Sequence, residues 1–335
     1  MVAGAILVPA YSYYEDSRLR DSFVKYKLVA KEPVSSTASI FQLEPQVSST
    51  DFNVYKEAWR KGIWNVHFKQ PQIQIVRAYT PLPPVEGVTE KEGKNLRFLI
   101  RRDPHGEVSS YLHNLPVGAE IELRGPNLEY HLTHDIRQVV FFAGGTGISP
   151  ALQIAHTMFD AESPAEKELK KARKLHILWA NRTREDCAGG ISDAPAPALE
   201  APKKALAGFF TKPIPKPVVD VSSQTKGIIV QELEALRSKY PGRITVEYFV
   251  NEEDTWIDQA AVIKALSRFD DKDFSTGTTT PQEQRQVLIS GPAGFITYLA
   301  GPKEWKNGRE EQGDIGKILA HAIATNPHNV KVWKI

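Results

Sequence analysis

The chain has 335 residues, of which 41% are hydrophobic and 24% charged, as is usual for a globular protein large enough for two domains. Its net charge of +2 gives no reason to expect a nucleic-acid partner. The single cysteine, Cys187, excludes a disulfide within the chain. No Cys/His cluster has the spacing of a zinc, iron–sulfur or covalently attached haem site, so we expect no metal ligands.

The chain starts with an apolar stretch, residues 1–10, that is too short to span a bilayer. It also lacks the basic start and the cleavage site of a signal peptide. Two interpretations have equal weight: a few apolar residues without further meaning, or the remainder of a membrane anchor whose upstream part has been removed. We assign residues 1–20 to an N-terminal extension.

The next part of the chain, residues 21–134, has the pattern of an antiparallel β-barrel. Apolar and polar residues alternate in short segments separated by turn residues, as in half-buried strands. These segments are residues 23–30, 38–43, 73–79, 96–101 and 120–125. We predict a small barrel domain here.

From residue 135 to residue 335 the pattern changes to that of an α/β domain. Apolar strands at residues 139–143, 175–180, 244–250 and 286–290 alternate with helical stretches, as in a doubly wound parallel sheet. Residues 188–221 interrupt this pattern with proline-rich runs that cannot pair inside a sheet. We predict that they form a mobile insertion.

A glycine-rich turn follows the strand at residues 139–143. The run Gly144-Gly145-Thr146-Gly147-Ile148-Ser149-Pro150 leads from that strand into an amphipathic helix. Backbone N–H groups and the helix dipole at such a turn favour a phosphate group, and glycine lets the ligand approach the backbone closely. Taken alone, the run is explained equally well by a nucleotide site and by a plain strand–turn–helix corner.

Two further motifs lie in the barrel segment, and their chemistry suits a flavin nucleotide. Arg77-Ala78-Tyr79-Thr80 supplies a guanidinium for a diphosphate, an aromatic ring and a hydroxyl. Gly106-Glu107-Val108-Ser109 precedes a short helix whose first N–H groups can bind phosphate oxygens.

In this order, R-x-Y-T, G-x-x-S and G-G-T-G-x-x-P resemble the ferredoxin–NADP reductase superfamily, in particular its cytochrome b5 reductase branch. The resemblance runs from about residue 23 to residue 335 and includes Ser290-Gly291-Pro292 near the last strands. It implies an FAD-binding antiparallel β-barrel followed by a doubly wound parallel-sheet domain for NADH or NADPH.

The resemblance also implies a role for individual residues. On the FAD side, the residues that match the family's motifs are Arg77, Tyr79, Thr80, Ile100, Arg101, Gly106, Val108 and Ser109. On the pyridine-nucleotide side they are Gly145, Thr146, Gly147, Asn181, Arg182, Asp186, Gly291, Pro292 and Phe295. Thr80 and Ser290 are the expected catalytic residues, beside the flavin and the nicotinamide. Ser290 replaces the family's usual cysteine, which affects the expected rate of hydride transfer rather than binding.

A narrower resemblance rests on Ser290-Gly291-Pro292, on residues 298–303 and on the apolar start. These are similar to fungal mitochondrial flavoproteins of cytochrome c haem import. The resemblance implies hydride transfer from NAD(P)H to FAD and single-electron transfer to haem or a haem protein. It further implies apocytochrome c and its haem lyase as partners, and a place in the mitochondrial inner membrane facing the intermembrane space.

Three other functions remain open on sequence grounds. The chain could be a general cytochrome b5 reductase-like electron-transfer enzyme, a flavin-bearing binding module with little reductase activity, or a nucleotide-binding scaffold without flavin. The coenzyme is open as well, because Arg182 and Arg184 favour NADPH whereas Glu185 and Asp186 favour NADH.

Overall fold

A computed structural model describes residues 22–46, 53–85, 95–160, 166, 168, 170, 172–193, 225–268, 285–306, 309–325 and 330–335. The predicted N-terminal extension, residues 1–20, and residues 194–221 of the predicted insertion lie outside the described residues. Within these ranges, every helix is too short or too polar to cross a lipid bilayer.

The described residues up to 131 form an antiparallel sheet with two helices. Its elements are β1 (Val24–Pro33), β2 (Ala38–Pro45), α1 (Asn53–Lys61), β3 (Gly62–Gln70), β4 (Ile75–Tyr79), β5 (Pro81–Leu82), β6 (Leu96–Arg101), α2 (Glu107–Asn114) and β7 (Glu120–His131). The strands are ordered β4-β3-β7-β1-β2-β6-β5. Since only Thr80 separates the edge strands β4 and β5 in the chain, the sheet curls until its two edges meet.

Large side chains fill the interior of this barrel. Trp64, Phe68 and Phe98 are fully buried, and the rings of Phe68 and Phe98 meet edge-on at 4.8 Å. Alternate residues of β3 and β6 point inward, which is why their sequences alternate. The predicted antiparallel barrel is confirmed.

The second half forms a parallel sheet flanked by helices. Its elements are β8 (Gln138–Gly144), α3 (Ile148–Phe159), β9 (Lys174–Asn181), α4 (Ile228–Lys239), β10 (Ile244–Val250), α5 (Gln259–Ser267), β11 (Arg285–Ser290), α6 (Ala293–Ala300), the hairpin β12 (Glu304–Lys306) and β13 (Arg309–Glu311), α7 (Lys317–Thr325) and β14 (Lys331–Lys334). The strand order is β10-β9-β8-β11-β14, and all pairs are parallel. The predicted α/β fold is confirmed as well.

The order of these strands indicates where a ligand cleft lies. From β8 the chain continues to β9 on one side and later to β11 on the other, so the winding reverses beside β8. In open α/β sheets, ligands bind at the carboxyl ends of the strands at this position. Here the glycine-rich turn follows β8.

Helix α3 joins the two sheets through polar side chains. The side-chain amide of the fully buried Gln153 accepts a hydrogen bond from Trp64 N at 3.0 Å and donates one to Pro81 O at 3.0 Å. One turn further on, Thr157 Oγ1 donates to Trp59 O at 3.1 Å. The helix that starts at the glycine turn therefore also fixes the chain next to Thr80.

Two features differ from the sequence expectation. Helix α1 lies within the segment that we predicted as β, and its buried Tyr55 and Ala58 form one apolar face. The described start of the predicted insertion, residues 188–193, is attached to β10. There the Asp193 carboxylate accepts from Val246 N at 2.7 Å and from the Arg237 guanidinium.

Candidate functional site

The turn after β8 admits only glycine at its critical positions. Gly145 has a φ of +54°, and a Cβ on Gly147 would lie 2.2 Å from the carbonyl oxygen of Ser290. The indole of Trp179 donates to Gly145 O at 2.8 Å and fixes the turn. A 3-10 turn over Gly145–Gly147 leads directly into α3, and the N–H of Ile148 donates back to the carbonyls of Gly145 and Thr146. Among the described residues no side chain caps this turn, so the N–H groups that can meet an anion are those of the glycine turn itself.

A cavity of about 470 Å³ opens beside this turn. Its wall includes seven of the residues predicted to bind a cofactor, namely Arg101 for FAD and six for the pyridine nucleotide. The lining comprises Arg101, Gly144, Gly145, Thr146, Ala180, Asn181, Arg182, Asn251, Trp256, Ile257, Pro292, Gly294, Phe295 and Tyr298. The ring of Phe295 covers the turn, since a Cβ on Gly144 would lie 2.8 Å from it. Gly147, Asp186 and Gly291 do not line the cavity.

The surroundings of Asn181, at the end of β9, favour the binding of a ligand in this cavity. Asn181 is 3% exposed, and among the described residues its amide has no hydrogen-bond partner apart from a contact with the Cys187 thiol, so most of its hydrogen-bonding capacity is unused. A buried amide with so few partners is costly, and a ligand with both a donor and an acceptor removes that cost.

The two arginines after β9 differ in their surroundings. Arg182 is exposed and lines the cavity. Arg184 instead pairs with the Glu253 carboxylate, its Nε donating to Oε1 at 2.7 Å, and donates to Gly190 O at 3.2 Å. Its pairing with Glu253 raises the pKa of the Arg184 guanidinium. Of the two, Arg182 is the one positioned to meet a ligand.

The two acids after β9 face the barrel. Glu185 accepts hydrogen bonds from the backbone and the hydroxyl of Ser36, which follows β1. Asp186 is 5% exposed and accepts from Ser35 Oγ at 2.8 Å, while Arg101 Nη2 lies 2.7 Å from its other oxygen. Both carboxylates therefore tie the loop after β9 to the barrel.

On the barrel, Arg77 lies beside the start of α2. Its guanidinium is exposed and lies 3.7 Å from the Glu107 carboxylate, in the first turn of that helix. Among the described residues no side chain caps α2, so its first N–H groups and the guanidinium, which lies beside Glu107, are donors that could hold an anion. A diphosphate, as in FAD, fits this pair of donors.

Tyr79 and Thr80 lie where the two edges of the barrel meet. The Tyr79 ring packs edge-on against Phe68 at 4.9 Å, and burial raises the pKa of Tyr79 to about 12. The phenol is therefore a neutral donor at physiological pH. Thr80 is half-buried next to it.

The other residues predicted for FAD have structural roles that limit how they could bind it. The side chains of Ile100 and Val108 belong to the barrel core. Ser109 Oγ accepts from Asp103 N at 3.1 Å and donates to Gly106 O at 3.1 Å. Contacts from this loop to a diphosphate would therefore come from its backbone N–H groups.

Ser290 ends β11 and is 6% exposed. Its carbonyl oxygen packs against Gly147. This contact brings the ends of β8 and β11 together at the cleft. Trp256 and Tyr298, neither of which was predicted as a site residue, line the cavity and are 53% and 46% exposed. No spacing in the sequence distinguishes such aromatic residues from those of the core.

Two family models match the chain in this order. Residues 25–131 match the oxidoreductase FAD-binding domain, and residues 141–189 match the oxidoreductase NAD-binding domain. The chain therefore contains an oxidoreductase FAD-binding domain and an oxidoreductase NAD-binding domain, the pair that the resemblance to ferredoxin–NADP reductases predicted. The predicted cofactors of this superfamily, FAD and NAD(P)H, are confirmed at the level of these two domains.

Several named proteins are similar to parts of this chain. It is 30% identical to the cytochrome c mitochondrial import factor CYC2 of Saccharomyces cerevisiae over 190 residues, 44% of this chain and 50% of that protein. It is 22% identical to NADH-cytochrome b5 reductase 2-A of Vanderwaltozyma polyspora over 251 residues, 74% of this chain and 65% of that protein. The matches thus span about half to two thirds of these relatives.

The fold is shared with ferredoxin-NADP+ reductase from Plasmodium falciparum, solved with 2'P-AMP. The TM-score is 0.54 at 14% sequence identity, covering 94% of this chain and 96% of that chain. At this identity the likeness concerns the fold.

Proposed function

We propose that this chain is an NAD(P)H-dependent flavin oxidoreductase that passes single electrons to haem or to a haem protein. The observation that carries the proposal is the position of Arg101. It ends strand β6 of the FAD-type barrel and lines the cavity beside the glycine turn, 3.8 Å from the Cβ position of Gly145. The two candidate cofactor sites therefore adjoin, as electron transfer between two cofactors requires.

FAD, when bound, supplies the change from two-electron to one-electron chemistry. Arg77 and the start of α2 would hold its diphosphate, and Tyr79 and Thr80 would orient its ring. The glycine turn, Asn181 and Arg182 would bind the pyridine nucleotide, and Ser290, at the end of β11, would be the residue next to its nicotinamide. The chain's residues bind, orient and exclude water, and none has to move a proton during hydride transfer.

The haem acceptor rests on the narrower likeness. The matched CYC2 is named as a mitochondrial factor for cytochrome c import, and other relatives are named as NADH-cytochrome b5 reductases. We propose haem for cytochrome c maturation as the acceptor, with apocytochrome c and its haem lyase as partners. The corresponding place is the mitochondrial inner membrane, facing the intermembrane space. We propose residues 21–134 and 135–335 as the two domains.

Haem reduction by the purified protein tests this function. Under anaerobic conditions with NADPH or NADH, we expect ferric haem to be reduced at a rate proportional to protein concentration. Arg77→Ala, which should lose FAD, should lose this rate, whereas Lys25→Ala, in an exposed ion pair, should keep it. Haem reduction that is the same with and without the wild-type protein would contradict the proposal and favour a flavin-bearing binding module.

A further inference from the structure

A second, larger cavity lies at the amino ends of the parallel strands. Its volume is about 1110 Å³, and it is lined by residues next to the first residues of β8, β9 and β10, among them His134, Arg173 and Arg243. The glycine turn and the nucleotide cavity lie at the other ends of these strands. This cavity is therefore separate from the candidate cofactor sites.

Three cations on its wall have contacts with backbone carbonyls. Lys170 Nζ donates to Asp160 O, and Arg173 donates to His134 O at 3.2 Å. Arg243 donates through Nε to Arg173 O at 3.2 Å and through Nη2 to Lys170 O. These carbonyl contacts position the three side chains. The carboxylates of Asp160 and Glu166 line the same cavity and offset part of their charge. Arg173 borders the cavity but is only 3% exposed, so burial weakens the hydration of its charge.

The positive charges in this cluster oppose one another. Burial lowers the pKa of the Arg173 guanidinium, and the neighbouring Arg137 and Arg243 lower it further, whereas Asp135 and Glu166 act in the opposite direction. Burial also lowers the pKa of Lys170, where Glu166 acts in the opposite direction and Arg173 adds to the lowering. A bound anion would relieve both effects.

Aromatic side chains form another part of the wall. Phe159 and Tyr240 are stacked, with ring centroids 5.0 Å apart and an interplanar angle of 26°. The Arg243 guanidinium lies 4.7 Å from the Phe159 centroid, so the stack fixes its position. Trp59 also lines the cavity, and it is half-buried.

We propose that this cavity binds an organic anion with an aromatic body and at least two negative charges, carried by phosphate or carboxylate groups. The charged groups of the ligand would lie on Lys170, Arg173 and Arg243, since guanidinium and ammonium groups bind such oxyanions. Its body would lie along Tyr240 and Trp59. Inorganic phosphate alone would leave most of the volume unfilled, because cavities of this size hold whole organic ligands.

The test is calorimetric titration of the flavin-loaded protein with 1-naphthyl phosphate, naphthalene-2,6-dicarboxylate and inorganic phosphate. We expect at least one naphthyl compound to bind saturably and more tightly than inorganic phosphate, and the comparison of the two identifies the preferred charged group. In Arg243→Gln and Lys170→Gln this affinity should fall at least about tenfold, as expected for the loss of a charged hydrogen bond. Arg182→Gln, in the nucleotide cavity, should leave it unchanged.

Flavin content and unfolding temperature show whether each variant is folded. Unchanged affinity in the folded Arg243→Gln and Lys170→Gln variants would overturn the proposal. So would loss of binding in Arg182→Gln alone, or equal affinities for the naphthyl compounds and inorganic phosphate.

Discussion

Arg101 Nη2 lies 2.7 Å from the carboxylate of Asp186 and joins the last residue of a barrel strand to the loop after β9. Asp186 is buried, whereas the side chain of Arg101 is 25% exposed and lines the nucleotide cavity. The carboxylate therefore positions a cation from one domain at the site of the other.

Removing this carboxylate should destabilise the protein and weaken binding of the pyridine nucleotide. In Asp186→Ala, Arg101 and Ser35 lose a buried charged partner, so we expect unfolding free energy to fall by about 3 kcal/mol. Urea unfolding measures this loss, and KM for NADPH should rise as well. The control is Glu185→Gln, where the exposed contact with Ser36 should contribute less than about 1 kcal/mol.

FAD binding should depend on the guanidinium of Arg77. Arg77→Ala leaves a diphosphate without its charged donor, a loss of about 1.5–3 kcal/mol of binding free energy. The measurement is FAD per chain after dilution, with Arg124→Ala, a barrel arginine that contacts His67 and Phe23, as the control. Wild-type retention of FAD in Arg77→Ala would rule out this binding mode.

The coenzyme preference should favour NADPH through Arg182. Neither Glu185 nor Asp186 lines the cavity, so the exposed guanidinium of Arg182 is the charged group after β9 that can meet a 2′-phosphate. In Arg182→Ala, the ratio of kcat/KM for NADPH to that for NADH should fall about tenfold or more. Arg184→Ala, which removes the pairing with Glu253, should lower stability and leave the ratio unchanged. A ratio that moves only in Arg184→Ala would contradict this assignment.

Ser290 should limit the rate of hydride transfer rather than the binding of the nucleotide. The Ser290→Cys substitution restores a polarisable sulfur at a buried position at the end of β11. We expect faster reduction of the flavin by NADPH at nearly unchanged apparent affinity, measured by stopped flow. Ser290→Ala serves as the comparison for side-chain size. If Ser290→Cys and wild type react at the same rate, Ser290 does not lie beside the nicotinamide.

Stability at acid pH should depend on Glu247, a buried carboxylate in the middle of β10. Burial alone would raise the pKa of Glu247, but the hydrogen bond from His176 and the charges of Lys264 and Arg268 hold it at about 2. The ordinary value is 4.5, so this stabilisation is complete above pH 4.5 and is lost as the pH falls towards 2.

Glu247→Gln tests this relationship through urea midpoints measured between pH 6 and pH 3. The variant should be less stable than wild type at pH 6, and the difference should shrink towards pH 3. Glu120→Gln, in the exposed pair with Lys25, should follow the wild-type curve. A difference that is constant across this range would show that the charge of Glu247 is not involved.

The fold could be predicted because each strand type has its own sequence pattern. Half-buried barrel strands alternate, whereas β8 is buried over its whole length from Gln138 to Gly144 and is followed by glycines. The strand order then brings Gly145, Asn181 and Pro292 to one cavity, as the rule for parallel sheets requires.

The directions of individual side chains could not be predicted in this way. Asp186 accepts from Ser35 and Arg101, about 150 and 85 positions away in sequence, so its role depends on how the two halves of the chain pack. Ser109 is used inside its own loop, since its hydroxyl bonds Asp103 and Gly106. Trp256 lines the cavity without belonging to any motif, and Tyr298 lines it although its motif predicted no place in the site.

Anaerobic mixing of the purified yellow protein with NADPH tests the central claim most directly. Because the FAD-type and nucleotide-type sites adjoin at Arg101, we expect the flavin absorbance near 450 nm to bleach in a single turnover at a rate that saturates with NADPH. Added ferric haem should then restore the absorbance. A flavin that stays oxidised with both NADPH and NADH would contradict the account.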